Sequence, residues 1–180
     1  MNHQKKLYAI LFSMLCLLLP LHANETAGQE STTINTINGE KIPVSLMPNG
    51  LHFQGMGKKI ILLEFFGHSC PPCRASIPGY NTLQKKYADD VVVIAIESWG
   101  LKKEKLKHYV KQLGIHYKVA ATTDAGKMFK FVKQLTGWSP NYGVPFLMVF
   151  SPDGKLAKQL PPGSLNEPYV EKLIESLRKQ

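Results

Sequence analysis

The stretch EFFGHSCPPCRASIP, Glu64 to Pro78, sets two cysteines apart by two prolines, with an acid six residues before the first. Three chemistries use such a pair: a redox-active dithiol, half of a zinc site, or a structural disulfide. The surrounding chain discriminates among them. Upstream, KKIILLEFF is apolar from Ile60 to Phe66 except at Glu64. Its length and β-branched start predict a central strand buried on both faces. Downstream, RASIPGYNTLQKKYADD carries Ile77, Tyr80, Leu83 and Tyr87 at helical spacing, with Pro78 expected to kink the helix. The cysteines thus fall between a central strand's carboxyl end and a helix N-terminus, the crevice where active sites of open α/β sheets collect.

The amino terminus bears on the redox compartment. Lys5 and Lys6 precede an apolar core, Leu7 to Leu19, that is broken by Pro20 and followed by Leu21-His22-Ala23. This is the pattern of a secretory signal peptide, residues 1–23, and the core is shorter than the roughly 18 residues of a membrane span. An uncleaved anchor is the alternative. Cleavage removes Cys16, so the two remaining cysteines are Cys70 and Cys73, in a chain sent to the periplasm or another compartment where disulfides persist. One close pair does not staple a fold as widely spaced cysteines do. A zinc site takes about four ligands, and neither a second CxxC nor a close histidine pair is present; His108 and His116 read as surface residues.

The formal net charge is +9 at pH 7. An exported chain without a clustered basic motif is not expected to bind nucleic acid. The densest basic run, LKKEKLKHYVKQLG, places Leu106, Tyr109, Val110 and Leu113 on one helical face and lysines on the other. It reads as a solvated helix face, with weak attraction to anionic membranes or acidic partners as the second reading.

Along the chain, residues 24–33 read as a flexible leader, and residues 34–180 as one domain. Asn38-Gly39 marks a hairpin, and MPNGLHFQGMGKK a glycine-rich connection. VVVIAIES is a second buried strand, followed by the lysine-rich helix and a short strand around YKVAAT. DAGKMFKFVKQLTG reads as a helix capped by Asp124 and stopped by Gly137, with Met128, Phe129 and Val132 in the core. Two strands joined at Asp153-Gly154 follow. The last helix has Asn166 as N-cap and Tyr169, Leu173, Ile174 and Leu177 facing inward. Alternating βα units closed by a hairpin predict an α/β fold with a central mixed sheet flanked by helices.

A cysteine at a helix N-terminus has its thiolate stabilised by the helix dipole and free N–H groups, which lowers its pKa. Cys70 is therefore expected to be the exposed nucleophile, and Cys73 the resolving thiol one turn later. Pro71 and Pro72 suit a first turn, having no N–H to lose there, and stiffen the loop in a way that tunes the pair. Glu64, if buried, has its pKa raised and can take the Cys73 proton; if at a strand edge, it points to water. His68 either stabilises the thiolate as imidazolium or is an exposed loop residue. Trp138 and Tyr142, in GWSPNYGVP, line a peptide groove or cap the core.

Cys70-Pro71-Pro72-Cys73 after a buried strand, Glu64 six residues earlier, and Gly143-Val144-Pro145 opening a strand together resemble the thioredoxin superfamily. In particular they resemble its exported TlpA/ResA/CcmG-like branch, over the chain from about Ile34 to the C-terminus. The resemblance implies that Glu64 is the buried proton acceptor and that Pro145 is cis and faces the cysteines. Val144 would offer backbone hydrogen bonds to substrate. The N-terminal hairpin and an additional βα unit, Val91 to Leu113, match that branch. The chain departs from the family at Ser69, where an aromatic residue usually precedes the first cysteine. The site also resembles DsbA-type oxidases locally, but those insert a large helical domain where this chain has room only for βαβα.

The expected protein is thus an exported thiol–disulfide oxidoreductase. It would act on protein thiols or disulfides, lean to reduction, with cytochrome c maturation as one setting, and be recycled by a membrane or periplasmic redox partner. No organic cofactor or metal is called for, because the cysteine pair is itself the redox centre. A DsbA-like dithiol oxidase and a copper or zinc chaperone are the alternatives.

Overall fold

The computed structural model describes residues 30–162 and 166–179; the expected signal segment and Cys16 lie outside them. Among the described residues no helix is long and apolar enough to cross a membrane. The chain runs β1 (Ser31–Asn35), β2 (Lys41–Met47), β3 (Gly50–Phe53), β4 (Ile60–Phe66), α1 (Pro71–Lys86), β5 (Val91–Glu97), α2 (Lys103–Gln112), β6 (Lys118–Ala120), α3 (Met128–Thr136), β7 (Phe146–Phe150), β8 (Leu156–Leu160) and α4 (Glu167–Leu177).

Strands β4, β5 and β7 are the most apolar runs in the chain, and all three are buried along their length. A strand with no polar face needs a neighbour on each side and a layer on each face. The five-stranded sheet meets that need with the order β6-β5-β4-β7-β8. The pairs β4–β5 and β5–β6 are parallel, while β4–β7 and β7–β8 are antiparallel. Side chains alternate along β4. Glu64 and Phe66 face α1 and α2, where Ser76 and Tyr109 receive them. Phe65 points the other way, against Phe129, Trp138 and Phe146. Helix α1 packs on β5 and α4, and Lys86–Glu171 at 2.6 Å and Tyr87 Oη–Glu175 at 2.7 Å join the two helices.

The amino-terminal hairpin forms as expected, with Gly39 at φ +85° in its turn. It belongs to a separate three-stranded sheet, β1-β2-β3, that bridges both edges of the large one. At one edge Thr36 pairs with Ala120 and the Ile37 N–H donates to the Val119 carbonyl at 2.8 Å, which covers the outer side of β6. At the other, Gly50 pairs with Lys155 and the Leu51 N–H donates to the Gly154 carbonyl at 2.9 Å. Covering an edge strand removes a template for unwanted pairing.

Four expectations need correction. Residues 31–33, assigned to the leader, begin β1. The glycine-rich connection contains β3, whose Leu51 and Phe53 point inward and His52 outward; the alternation is only four residues long and flanked by glycines. Asp124 does not cap α3. It lies in a single 3₁₀ turn and pairs with Lys103 at 3.2 Å, and α3 begins at Met128 with no side-chain cap. In α4, Asn166 caps as expected, accepting from the Tyr169 N–H at 3.2 Å. The buried stripe, however, is Val170, Ile174 and Leu177, and Tyr169 is exposed. Spacing of i, i+4, i+7 makes that the continuous face.

The bridging contact at Gly50 leaves no room for a side chain: a Cβ there would lie 2.0 Å from the Gly154 carbonyl oxygen. Gly50→Ala is expected to lower the unfolding free energy by about 2–3 kcal/mol, as overpacking against backbone does. Denaturant titration checks this. An unchanged midpoint would mean that the small sheet is not stitched to the large one there.

Candidate active site

The turn from β4 into α1 is built by Gly67 and the two prolines. Pro71 and Pro72 occupy the first positions of α1, and Cys70 is its N-cap. The Cys70 sulfur accepts the Cys73 N–H at 3.2 Å, so the cap is supplied by the reactive atom itself. No acid lies in the first turn, so nothing in that turn opposes the positive end of the helix dipole. Cys70 and Cys73 are joined as a disulfide with their Cα atoms 5.2 Å apart. One expectation fails: Cys70 is not exposed, only 3% of its surface being accessible. The loop before β7 covers it, with the Val144 carbonyl oxygen 3.7 Å from its sulfur.

That loop carries the cis peptide between Val144 and Pro145, as the resemblance implied. Gly143 before it has φ +97°, a conformation that only glycine adopts readily. Trp138 holds the loop from behind. Its indole stacks on Phe146 with centroids 4.6 Å apart, and its Nε1–H donates to the Gly143 carbonyl at 3.2 Å. Trp138 is 6% exposed and, of its two readings, packs as a cap on the core, supporting the Val144–Pro145 loop from the core side. Tyr142 stands out in a 3₁₀ turn, 70% exposed.

Glu64 is buried in the middle of β4, flanked by Ala95 on β5 and Leu147 on β7. The strand-edge alternative is excluded. Burial pushes its pKa up to about 8, opposed only by the Ser76 hydroxyl. Ser76 Oγ lies 2.8 Å from the Cys73 carbonyl oxygen and 3.4 Å from Glu64 Oε1. A hydroxyl has one proton. Shared between two acceptors, it stabilises the Glu64 carboxylate only weakly, and burial prevails. Ser76 also lines a cavity of about 270 Å³ with Pro72, Tyr80 and Pro145. Tyr80 Oη is buried with no partner among the described residues, and desolvation holds its pKa well above the usual phenol range.

Glu97 was missed by sequence reasoning. It ends β5, fully buried, and gathers the loops around the cysteine turn. Its carboxylate lies 2.9 Å from His68 Nδ1 and accepts the backbone N–H groups of Trp99 at 3.0 Å and Leu101 at 2.8 Å. The signal was available: an acid closing an apolar strand poses the same question as Glu64. Arg74 completes this flank, donating to the His68 carbonyl at 3.0 Å with its guanidinium 5.7 Å above the Tyr109 ring.

The arrangement is fitted to sulfur exchange. It offers a cysteine at a positive helix end, a partner thiol within bonding distance, a buried acid that titrates near neutrality, and a backbone carbonyl beside the reactive sulfur. Among the described residues no cluster of three or more histidines, cysteines or acids is placed to hold a metal.

Comparison with known proteins agrees with this geometry. Residues 57–156 match the family model described as thioredoxin-like. The thioredoxin-like protein YneN of Bacillus subtilis is 35% identical over 71 residues, which is 38% of this chain and 36% of that protein. The chain spans at most about two fifths of the length of the curated relatives it matches. Among solved structures, a thiol:disulfide interchange protein of the thioredoxin family from Chlorobium tepidum superposes with a TM-score of 0.62 at 21% identity, covering 83% of this chain and 94% of that one. StoA from Bacillus subtilis does so at 0.57 and 17%, covering 83% and 97%. At those identities the structures speak for the fold. The family match spans more than half of the chain and takes in Glu64, the cysteine pair and the cis proline, so this chain belongs to the thioredoxin-like family.

Proposed function

We propose that the protein is a thiol–disulfide oxidoreductase of the TlpA/ResA/CcmG-like kind, acting on protein clients outside the cytoplasm and working mainly as a reductase. The observation that carries this is the Cys70–Cys73 disulfide on a helix N-terminus, with Glu64 buried behind it and the Val144 carbonyl in front. In the reductive direction, the Cys70 thiolate attacks one sulfur of a client disulfide. The Cys70–client bond forms as the client S–S bond breaks, and one client sulfur leaves as thiolate. The Cys73 thiol then gives its proton to the Glu64 carboxylate and attacks the Cys70 sulfur, releasing the second client thiolate. Two electrons pass from the pair to the client, whose two thiolates are protonated from solvent. A membrane or periplasmic dithiol partner returns the pair to its reduced form.

Glu64 suits both directions because its pKa lies near 8. Protonated, it donates to the Cys73 thiolate as that sulfur is expelled from the disulfide; ionised, it is the base for the return step. Ser76, which touches both Glu64 and the Cys73 backbone, is the way its proton reaches the cavity beside Pro72 and Pro145. Val144 and Pro145 position the client chain beside Cys70. His68, oriented by Glu97, presents its outer edge on the other flank.

Cys73→Ser is expected to accumulate mixed disulfides through Cys70 in cells, seen as thiol-sensitive adducts on non-reducing gels. Absence of adducts would end the exchange reading. Equilibration with glutathione is expected to give a potential nearer thioredoxin's, about −270 mV, than the about −120 mV of a DsbA-type oxidant. A value near the latter reverses the direction.

The raised Glu64 pKa also predicts a stability profile. The folded protein keeps a proton that the unfolded chain releases near pH 4.5, so stability of the oxidised form falls as pH rises from about 4.5 to about 8. Glu64→Gln removes this slope. Relative to the variant, wild type should lose about 3 kcal/mol between pH 5 and pH 8, measured by denaturant titration. The same substitution should slow the Cys73 step about a hundred-fold and erase its inflection near pH 8.

A further inference from the structure

The β4–α1 loop carries Ser69 where the family places an aromatic residue, yet an aromatic surface is present. Trp99, from the loop after β5, is 48% exposed and lies on Gly67. A Cβ on Gly67 would meet the indole at 2.4 Å, so the glycine is what lets the ring sit there. The ring stands edge-on to His68 with centroids 6.1 Å apart, and the Glu97 carboxylate fastens both loops. Beside it an open groove of about 480 Å³ runs between the start of α1 and α2. Leu101 and Tyr109 are its apolar part; Arg74, Lys105, His68 and His108 are its basic part.

Two of the charges there, Arg74 and Lys105, are free of ion pairs, whereas His68 is held by Glu97 at 2.9 Å. Elsewhere, Lys86, Lys103, Lys118, Lys130 and Lys155 each lie within 3.2 Å of a carboxylate, and other exposed lysines, Lys158 and Lys179 among them, are not paired among the described residues. Among the described residues, no carboxylate lies within 4.0 Å of Arg74 or Lys105. Glu104 is the one acid on the groove, and it is exposed and paired with Lys107 at 3.4 Å. A basic groove one helical turn from the nucleophile, floored by an aromatic ring and flanked by an exposed indole, is complementary to an acidic chain with an apolar side chain among its acids.

We infer that Trp99 and the groove between α1 and α2 form a docking surface for client segments carrying acidic residues next to the reacting cysteine. This rests on the oxidoreductase reading above. Uncancelled positive charge beside the site raises the encounter rate of such segments and penalises basic ones. Client choice then lies in the β5–α2 side of the site, not in the residue before Cys70.

The test uses reduced protein and two synthetic disulfide peptides of one sequence, flanked by glutamates in one and by lysines in the other. The glutamate peptide is expected to oxidise the protein at least about ten-fold faster at low ionic strength, with the ratio falling towards one in about 0.5 M salt. The double reversal Lys105→Glu with His108→Glu should bring the ratio to two or less, about a five-fold loss. Lys158→Glu with Lys179→Gln, the same change of net charge far from the groove, should keep it. Because the readout is a ratio, a fold defect that slows both peptides alike does not imitate the result. Equal rates for the two peptides, or equal losses in the two double variants, would overturn the docking surface. So would a peptide ratio near one together with Lys105-dependent binding to anionic lipid vesicles, which would assign the groove to a membrane. If neither peptide nor a neutral small disulfide reacts, the oxidoreductase reading itself is overturned, and the docking surface with it.

Discussion

The site depends on the antiparallel register of β7 against β4, which sets Phe146 opposite Phe65. One step before Phe146 is Pro145, and two steps after Phe65 the chain has left the sheet for the cysteine turn. The pairing therefore delivers the Val144 carbonyl to within 3.7 Å of the Cys70 sulfur. A slip by one residue would carry every side chain of β7 to the wrong face and move that carbonyl away. Phe65, Phe146 and Trp138 guard the register by stacking on one side of the sheet. The parallel pairing of β5 with β4 does the equivalent on the other side, setting Glu97 level with Phe66 and within reach of His68.

Between these two pairings lies Glu64, with no solvent and one weak hydroxyl partner. An ionised carboxylate in that place costs several kcal/mol, so the group stays protonated at neutral pH. The fold accepts a stability that declines with pH in return for an acid that exchanges its proton where thiols do. Perturbed groups gather at functional sites for this reason. The apolar strands are long enough to carry the load: β4, β5 and β7 bury every residue.

Much of this was legible from residue order. The apolar runs located the central strands, because a strand buried on both faces has no other composition. Cys70, Cys73 and Glu64 stood out because each is chemically odd in its place. Gly143-Val144-Pro145 pointed to a cis peptide only through family resemblance, since local sequence does not decide between the two isomers. What escaped were features made by approach in space. The four-residue strand β3 exists because it has Val44 and Ser45 to pair with. Trp138 has a polar tip suited to a surface, but the Gly143 carbonyl satisfies that tip inside. Cys70 is covered by a residue 74 positions away.

Sequence alone determined the kind of chemistry: a dithiol with an acid in an apolar strand has few other uses, and composition and spacing are local properties. Tertiary structure alone decided who faces whom. It joined Glu97 to His68, laid Trp99 over Gly67 in place of an aromatic beside Cys70, and left Arg74 and Lys105 without counter-charges while neutralising other lysines. Those facts depend on which strands pair and in what register, and no window of the chain short enough to read by pattern contains both partners.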